Sequence, residues 1–151
     1  MRDIVSRQSA ATTTDRRRAA ERLAVTLSVP GYRDFTVGVS AVLAPTVHGE
    51  YLIEPGHEPC AIALEHGALT LRADDRTWLA AVHTGSLSAQ DDELRITADR
   101  IEFADRIDVE RARWAQADAA ERLRHDHGDA DAHAALRRAN LRLAVAARVC
   151  G

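Results

Sequence analysis

The sequence predicts a mainly β protein with a helical end: an N-terminal β-sandwich, or flattened barrel, followed by a C-terminal antiparallel two-helix hairpin. Between residues 23 and 99, apolar and polar residues alternate with a period of two over a series of short segments, as in half-buried strands. Turn-forming residues separate these segments about every ten residues, a spacing typical of sandwiches and barrels. Beyond Asp105 the apolar residues recur at spacings of three and four, which places them on one face of a helix.

The strand segments follow one another in chain order. The first alternates from Leu23 to Val29, and Pro30-Gly31 then turns the chain, because proline fixes φ and glycine accepts a positive φ. The alternation resumes at Phe35 and runs on to Leu43. Further strand segments are predicted at 61–64, 69–71, 78–82, 87–89 and 94–98.

Two helices are predicted after the sandwich, in residues 100–151. Asp105 is expected to cap the first helix, in a capping-box pattern with Asp108. His127-Gly128 ends this helix, and Asp129 or Asp131 can cap the second. The contact faces are mostly alanine, which buries little area, at about 0.8 kcal/mol per methyl-sized group. The hairpin is therefore expected to be only weakly held, and mobile.

Composition excludes several classes of protein. The chain has 151 residues, of which 46% are hydrophobic and only 4% aromatic, so its core must consist of aliphatic side chains. The net charge of −3 argues against general affinity for nucleic acid. No apolar run approaches the roughly 18 residues of a membrane-spanning helix, so membrane contact is expected only through a partner. Residues 1–22 carry no apolar signal-peptide core and are expected to form a disordered extension, with a transit peptide as the alternative.

The residues that could carry chemistry form no recognised catalytic pattern. Cys60 and Cys150 lie far apart without a CxxC spacing, which predicts free thiols rather than a disulfide framework or a zinc site. The histidines of the β region lack the HxH pairing of metal sites in small barrels. GxSxG is absent, and a chain without lysine cannot carry the P-loop motif. The residues by themselves therefore indicate no enzyme, no metal site and no required cofactor.

Residues 49–59, Gly-Glu-Tyr-Leu-Ile-Glu-Pro-Gly-His-Glu-Pro, are the most distinctive stretch. On composition alone they are a long connection in an all-β domain. Together with Ala-Leu-Glu-His-Gly at 63–67, they resemble the signature loop of the epsilon subunit of F-type ATP synthases. That family usually has Leu-Gly at Tyr51-Leu52 and an apolar residue at Glu54, so the resemblance is to a divergent member.

The resemblance continues through the second half of the chain and covers about residues 23–149. Val-His-Thr-Gly at 82–85, Ala-Asp at 98–99 and the stretch 104–112 stand where the family has similar segments. It implies a non-catalytic rotor subunit of the central stalk, peripheral on the cytoplasmic side of the bacterial cell membrane. The sandwich would bind the gamma subunit and the c-ring, with Glu50 and His57 at this interface. The hairpin would fold down, or extend to the alpha/beta catalytic head and inhibit ATP hydrolysis.

The resemblance also implies a regulatory ATP site. Some bacterial epsilon subunits bind ATP through Ile/Leu-Asp-x-x-Arg-Ala, and the same positions here are Ile107, Asp108, Arg111 and Ala112, accompanied by Glu102, Arg138 and Arg142. Asp118 stands where such subunits carry a further arginine, which puts an acid near the expected phosphates.

The sequence alone leaves two alternatives open. Asp108 is equally explained as a helix cap, and the arginines as a solvated helix face. The alternative for the whole chain is a stand-alone β-sandwich adaptor with a helical hairpin.

Overall fold

Ten β-strands in two sheets, followed by two α-helices, make up the part of the chain that the computed structural model describes. It describes residues 22–150, with the side chains of residues 149 and 150 excluded. The predicted extension, residues 1–22, lies outside the described residues except for Arg22. The strands are β1 Leu23–Ser28, β2 Phe35–Val39, β3 Ala41–Thr46, β4 Gly49–Ile53, β5 Cys60–Leu64, β6 Gly67–Arg72, β7 Thr77–Val82, β8 Gly85–Gln90, β9 Glu93–Ala98 and β10 Ile101–Phe103.

The strands form two five-stranded sheets that pack face to face. Sheet 1 has the order β2-β1-β9-β8-β5, and sheet 2 has the order β10-β7-β6-β3-β4. Most neighbours are antiparallel, but β1 and β9 run parallel, with Val25 beside Leu94 and Leu27 beside Ile96. This pairing joins the first described strand to the ninth.

The core lies between the two sheets and is aliphatic, as the composition requires. In β1 the residues at alternate positions, Leu23, Val25 and Leu27, are buried, which confirms the period-two interpretation. The side chains between them face outward. The largest fully buried side chains of the sandwich are Leu23, Val25, Val39, Val42, Ile53, Leu69, Leu71, Val82, Leu87 and Ile96.

The junction between sandwich and hairpin differs from the sequence-based expectation in two ways. The alternation was expected to end by Ala98, yet β10 adds a strand to sheet 2 by pairing Ile101 with Val82. The predicted cap is also wrong: Asp105 lies in a short 3-10 turn, and the N-cap is Asp108, whose Oδ1 accepts from the backbone N of Arg111 at 3.1 Å. Ile107 is extended and ends the 3-10 turn, so the helix begins only after it.

The two helices, α1 Val109–His125 and α2 Ala130–Cys150, form the predicted antiparallel hairpin. Asp129 caps α2, its Oδ1 accepting from the backbone N of Ala132 at 3.0 Å. Between the helices, the amide of Gln116 donates to Asn140 at 2.7 Å. Four deeply buried positions of the hairpin are alanines, which let the helix backbones approach closely: Ala112, Ala119, Ala132 and Ala139.

The hairpin folds back on the outer face of sheet 2. Val145 of α2 is 1% exposed and packs with Ala81 of β7 and Ala104 in a second, much smaller apolar cluster. Leu79, Ile107 and Leu141 border this cluster. Only one large side chain is fully buried here, so the apolar contribution to docking is small, at about 1.5–3 kcal/mol per fully buried aliphatic side chain.

Candidate functional site

An ion pair joins the hairpin to the sandwich. Nε of Arg142 in α2 donates to both carboxylate oxygens of Glu102 in β10, each at 2.9 Å, and Nη2 lies 2.9 Å from Oε1. The two side chains are only 19% and 25% exposed. Burial by itself would raise the pKa of Glu102, but the hydrogen bonds and charge of Arg142 outweigh it and lower this pKa below its ordinary value. Glu102 is therefore a carboxylate at neutral pH.

His83 follows β7 directly and contacts the carboxylate of this ion pair from the sandwich. Its Nε2 is 3.1 Å from Oε1 of Glu102, and the residue is 7% exposed. Burial lowers the pKa of His83 to about 4, although the charge of Glu102 opposes the change. The ring is neutral at pH 7, so Nε2–H donates to Glu102, and the buried Nδ1 has no hydrogen-bond partner among the described residues.

A second histidine extends this contact. The rings of His66 and His83 meet edge to face with centroids 5.1 Å apart. Nε2 of His66 donates to the backbone carbonyl of Arg137 in α2 at 3.0 Å. Polar contacts from β10 and from the β5–β6 turn therefore reach the same helix.

Beside the ion pair is a cavity of about 560 Å³, here called the arginine pocket, between the end of sheet 2 and both helices. It brings together six of the seven residues expected to bind ATP, and Ile107 is the exception because it packs in the apolar cluster. The pocket is lined by Arg100, Glu102, Arg106, Asp108, Arg111, Ala112, Trp114, Ala115, Arg138 and Arg142.

The pocket carries an excess of positive charge. Five arginines face two carboxylates there. Glu102 binds Arg142, and Asp108 caps α1 as the alternative interpretation expected. Within residues 22–148, no carboxylate forms an ion pair with Arg106, Arg111 or Arg138, whose guanidinium groups suit phosphate. Asp118 is exposed and lies one helical turn beyond Ala115, outside the lining residues.

Four residues that line the pocket were not among the predicted site residues: Arg100, Arg106, Trp114 and Ala115. Arg100 and Arg106 flank β10, and their contribution depends on the unpredicted strand. Trp114 follows Arg111 by three residues, and this spacing puts the two on one face of α1. The helical period could have identified Trp114.

The signature loop consists of β4 and the connection that follows it. Pro55-Gly56 forms the predicted tight turn: the backbone N of His57 donates to the carbonyl of Glu54 at 3.2 Å, and Gly56 has a φ of 87°. The backbone N of Gly56 donates to Asp92 Oδ1 at 2.7 Å, which ties this turn to the β8–β9 turn.

Tyr51 holds His57 against β4. Nδ1 of His57 lies 2.6 Å from the carbonyl of Glu58, which can only accept, so Nδ1 carries the proton. In this tautomer Nε2 accepts from the Tyr51 hydroxyl at 2.9 Å. The connection thus folds back beside the strand that carries Glu50, whose side chain is exposed next to Tyr51 and Leu52.

Two features are absent from the described residues. No group of three or more His, Cys, Asp or Glu side chains among them is placed to hold a metal ion. Neither of the described helices is long and apolar enough to cross a membrane.

Comparison with known proteins assigns the sandwich to a known class. Residues 23–104 match the family model described as ATP synthase, Delta/Epsilon chain, beta-sandwich domain. The ATP synthase epsilon chain of Streptomyces griseus is 46% identical over 109 residues, covering 71% of this chain and 82% of the relative. The epsilon chain of Anaeromyxobacter dehalogenans is 40% identical over 132 residues, which are 83% of this chain and 100% of the relative.

A solved structure supports the fold. A chain of the Euglena gracilis mitochondrial ATP synthase, OSCP/F1/c-ring in rotational state 1, superposes with a TM-score of 0.64 at 19% identity. The match covers 85% of this chain and 79% of that one. Sandwich, hairpin and family match together define a delta/epsilon-type chain. More particularly, this chain belongs to the ATP synthase epsilon chain family, and this membership replaces the alternative of a stand-alone adaptor.

Proposed function

We propose that the chain is a non-catalytic rotor subunit in the central stalk of an ATP synthase, peripheral on the cytoplasmic side of the bacterial cell membrane. Its hairpin would regulate ATP hydrolysis. One observation carries the regulatory role: the hairpin docks on the sandwich through one half-buried ion pair, one hydrogen bond from His66 and one small apolar cluster. Such a weakly held element can change between two positions that differ by only a few kcal/mol.

The sandwich would bind the gamma subunit and the c-ring. The exposed end of β4 and the adjoining β3–β4 turn support a docking surface, because Val47 is 72% exposed, Leu52 47% and Tyr51 36%. Apolar side chains surrounded by polar residues are a common feature of protein interfaces. Glu50 and His57 lie in the same region and would supply polar contacts to the loops of the c-ring.

In the extended state, the hairpin would reach the alpha/beta catalytic head. Arginines on α2 would then pair with carboxylates of the head, and Arg142 would have to leave Glu102. The ion pair seen here therefore favours the folded-down state and competes with inhibition.

Truncation tests this regulatory role. Removing residues 109–151 leaves both sheets intact, since β10 ends at Phe103. We expect the truncated chain to assemble normally and the ATP hydrolysis of the complex to rise. The control is the full-length chain assembled in parallel, with gamma content and ATP synthesis measured in both complexes. Unchanged hydrolysis in a fully assembled complex would contradict a regulatory hairpin.

We further propose that the arginine pocket binds ATP as a regulatory ligand. The pocket takes side chains from β10, α1 and α2, so a bound polyanion would contact all three elements at once. A ligand that binds only the folded-down state stabilises that state by mass action. ATP would in this way oppose extension of the hairpin, with no cofactor required for folding.

Calorimetry on the full chain tests this site. Arg111→Ala removes a guanidinium from the pocket and should weaken ATP binding, whereas Asp118→Arg adds positive charge one helical turn away and should strengthen it. Arg113→Ala is the matched control, because Arg113 is exposed on the same helix and does not line the pocket. Absence of heat from the wild type at millimolar ATP would exclude the nucleotide site.

A further inference from the structure

Trp114 is the one exposed tryptophan among the described residues, and it borders the arginine pocket. It lies on α1 with 69% of its surface exposed, at the rim of the arginine pocket. A single exposed aromatic residue needs no explanation by itself. Here, however, the indole adjoins a cavity in which three arginines form no ion pair with any carboxylate of residues 22–148.

The faces of this indole are unoccupied by other rings or cations of the described residues. The aromatic pairs there are Phe35 with Phe103, Tyr51 with His57 and His66 with His83. The cation over a tryptophan is Arg76, whose guanidinium carbon lies 4.4 Å from the ring centroid of Trp78. Trp114 therefore keeps a π-face available for a ligand.

The arginines of the pocket and the indole of Trp114 suit two different groups of one ligand. Guanidinium groups without carboxylate partners suit phosphate oxygens, which they bind through paired hydrogen bonds. An indole face suits a flat aromatic base, and base–aromatic stacking does not depend on specific hydrogen bonds. A volume of about 560 Å³ lies in the usual range for pockets that hold small organic ligands. A nucleoside triphosphate has both features, whereas inorganic polyphosphate has only one.

We propose that Trp114 is the specificity-determining residue of the arginine pocket, stacking on the base while Arg106, Arg111 and Arg138 bind the phosphates. The inference rests on the proposed nucleotide site and adds the residue by which that site would distinguish its ligands. Because stacking scales with ring size and ignores the edge of the base, the pocket prefers purine to pyrimidine nucleotides and separates ATP poorly from GTP. Inorganic tripolyphosphate binds more weakly than ATP by roughly tenfold, the usual contribution of one stacked base.

Calorimetric titration of the full chain with ATP and with inorganic tripolyphosphate tests the proposal. Trp114→Leu should lower the ATP affinity to that of tripolyphosphate and leave tripolyphosphate binding unchanged. Trp114→Tyr keeps an aromatic face and should restore most of the difference. Trp78→Phe is the control, since Trp78 lies in β7 and does not line the pocket. Arg111→Ala should weaken both ligands alike.

The outcomes separate this inference from the site itself. If Trp114→Leu keeps the wild-type preference for ATP over tripolyphosphate, the base does not stack on Trp114 and the inference is wrong. If the wild type binds both ligands equally, the inference is again wrong, although an anion site in the arginine pocket stands. If the wild type binds neither ligand, the proposed nucleotide site fails and the inference with it.

Discussion

Arg142 and Glu102 are 40 residues apart in the sequence, and their side chains meet in three contacts of 2.9 Å. One residue belongs to the hairpin and the other to the last strand of the sandwich. His83 of the sandwich also donates a hydrogen bond to Glu102. The same carboxylate therefore binds one residue of the hairpin and one residue of the sandwich. The docking of the hairpin is therefore sensitive to any change at this carboxylate.

Arg142→Ala should release the hairpin from the sandwich. The substitution leaves a half-buried carboxylate without its cation, which we expect to cost about 1–3 kcal/mol of docking free energy. The separation of spin labels at Ser88 and Arg124, in a chain whose two cysteines are replaced by serine, reports the change. Arg148→Ala is the matched control, since Arg148 is exposed on the same helix. A distance distribution that stays at the wild-type value in Arg142→Ala would mean that the ion pair does not hold the hairpin.

Acidification should also release the hairpin. Burial lowers the pKa of His83 to about 4 in the docked state, and a solvated histidine titrates near 6.5. The undocked state therefore takes up a proton first, and docking is weakened as the pH falls from 6.5 towards 4. Linkage predicts a change in the docking equilibrium of up to roughly twentyfold between pH 7 and pH 5. The charged or titratable groups that face His83 are Glu102, His66, Arg142 and Arg100.

The same spin-labelled chain measures this effect across pH. His83→Gln keeps a donor for Glu102 but has no titrating ring, so its docking should not change between pH 7 and pH 5. Glu102 itself, whose pKa is lowered, keeps its charge over that window. If docking in His83→Gln changes with pH as it does in the wild type, a group other than His83 causes the pH dependence.

Tyr51→Phe should destabilise the signature loop slightly. It removes the hydroxyl that donates to His57 Nε2 and keeps the ring contact, whose centroids are 5.5 Å apart. We expect a loss of about 0.5–1 kcal/mol in the free energy of unfolding, at the lower end for hydrogen bonds because the pair is partly exposed. Tyr32→Phe, at a 79% exposed tyrosine, is the control for thermal unfolding. Additive effects of Tyr51→Phe and His57→Ala would show that the two side chains are not coupled.

Glu50→Cys should crosslink to the c-subunit loops in the assembled complex. Glu50 is exposed near the β3–β4 turn, opposite Pro45 of the neighbouring strand. Asp75→Cys lies in the β6–β7 turn, at the other end of sheet 2, and should not crosslink. If both cysteines or neither of them react in a fully assembled complex, this end of the sandwich is not the c-ring surface.

The sequence by itself determined most of the strands, both helices and the family. Alternation placed β1 correctly because burial of one sheet face has a period of two, and this period is local. The Pro55-Gly56 turn was equally predictable, since φ preferences belong to the residues themselves. The alanine-rich face of the hairpin was also visible as a helical period. The residue pattern of the loop identified the family only together with the Ile-Asp-x-x-Arg-Ala pattern at 107–112.

Only the tertiary structure decided which distant residues meet. The parallel pairing of β1 with β9, the addition of β10 to sheet 2 and the contact of α2 with β7 are long-range choices. Packing and hydrogen-bond satisfaction over the whole molecule select these partners, and no local pattern encodes them. For the same reason, the sequence predicted Glu102 and Arg142 as candidate site residues but did not predict that they form an ion pair. It could not show that His83 is buried behind that pair, or that Trp114 borders a pocket of arginines, because burial and proximity arise only when the hairpin docks.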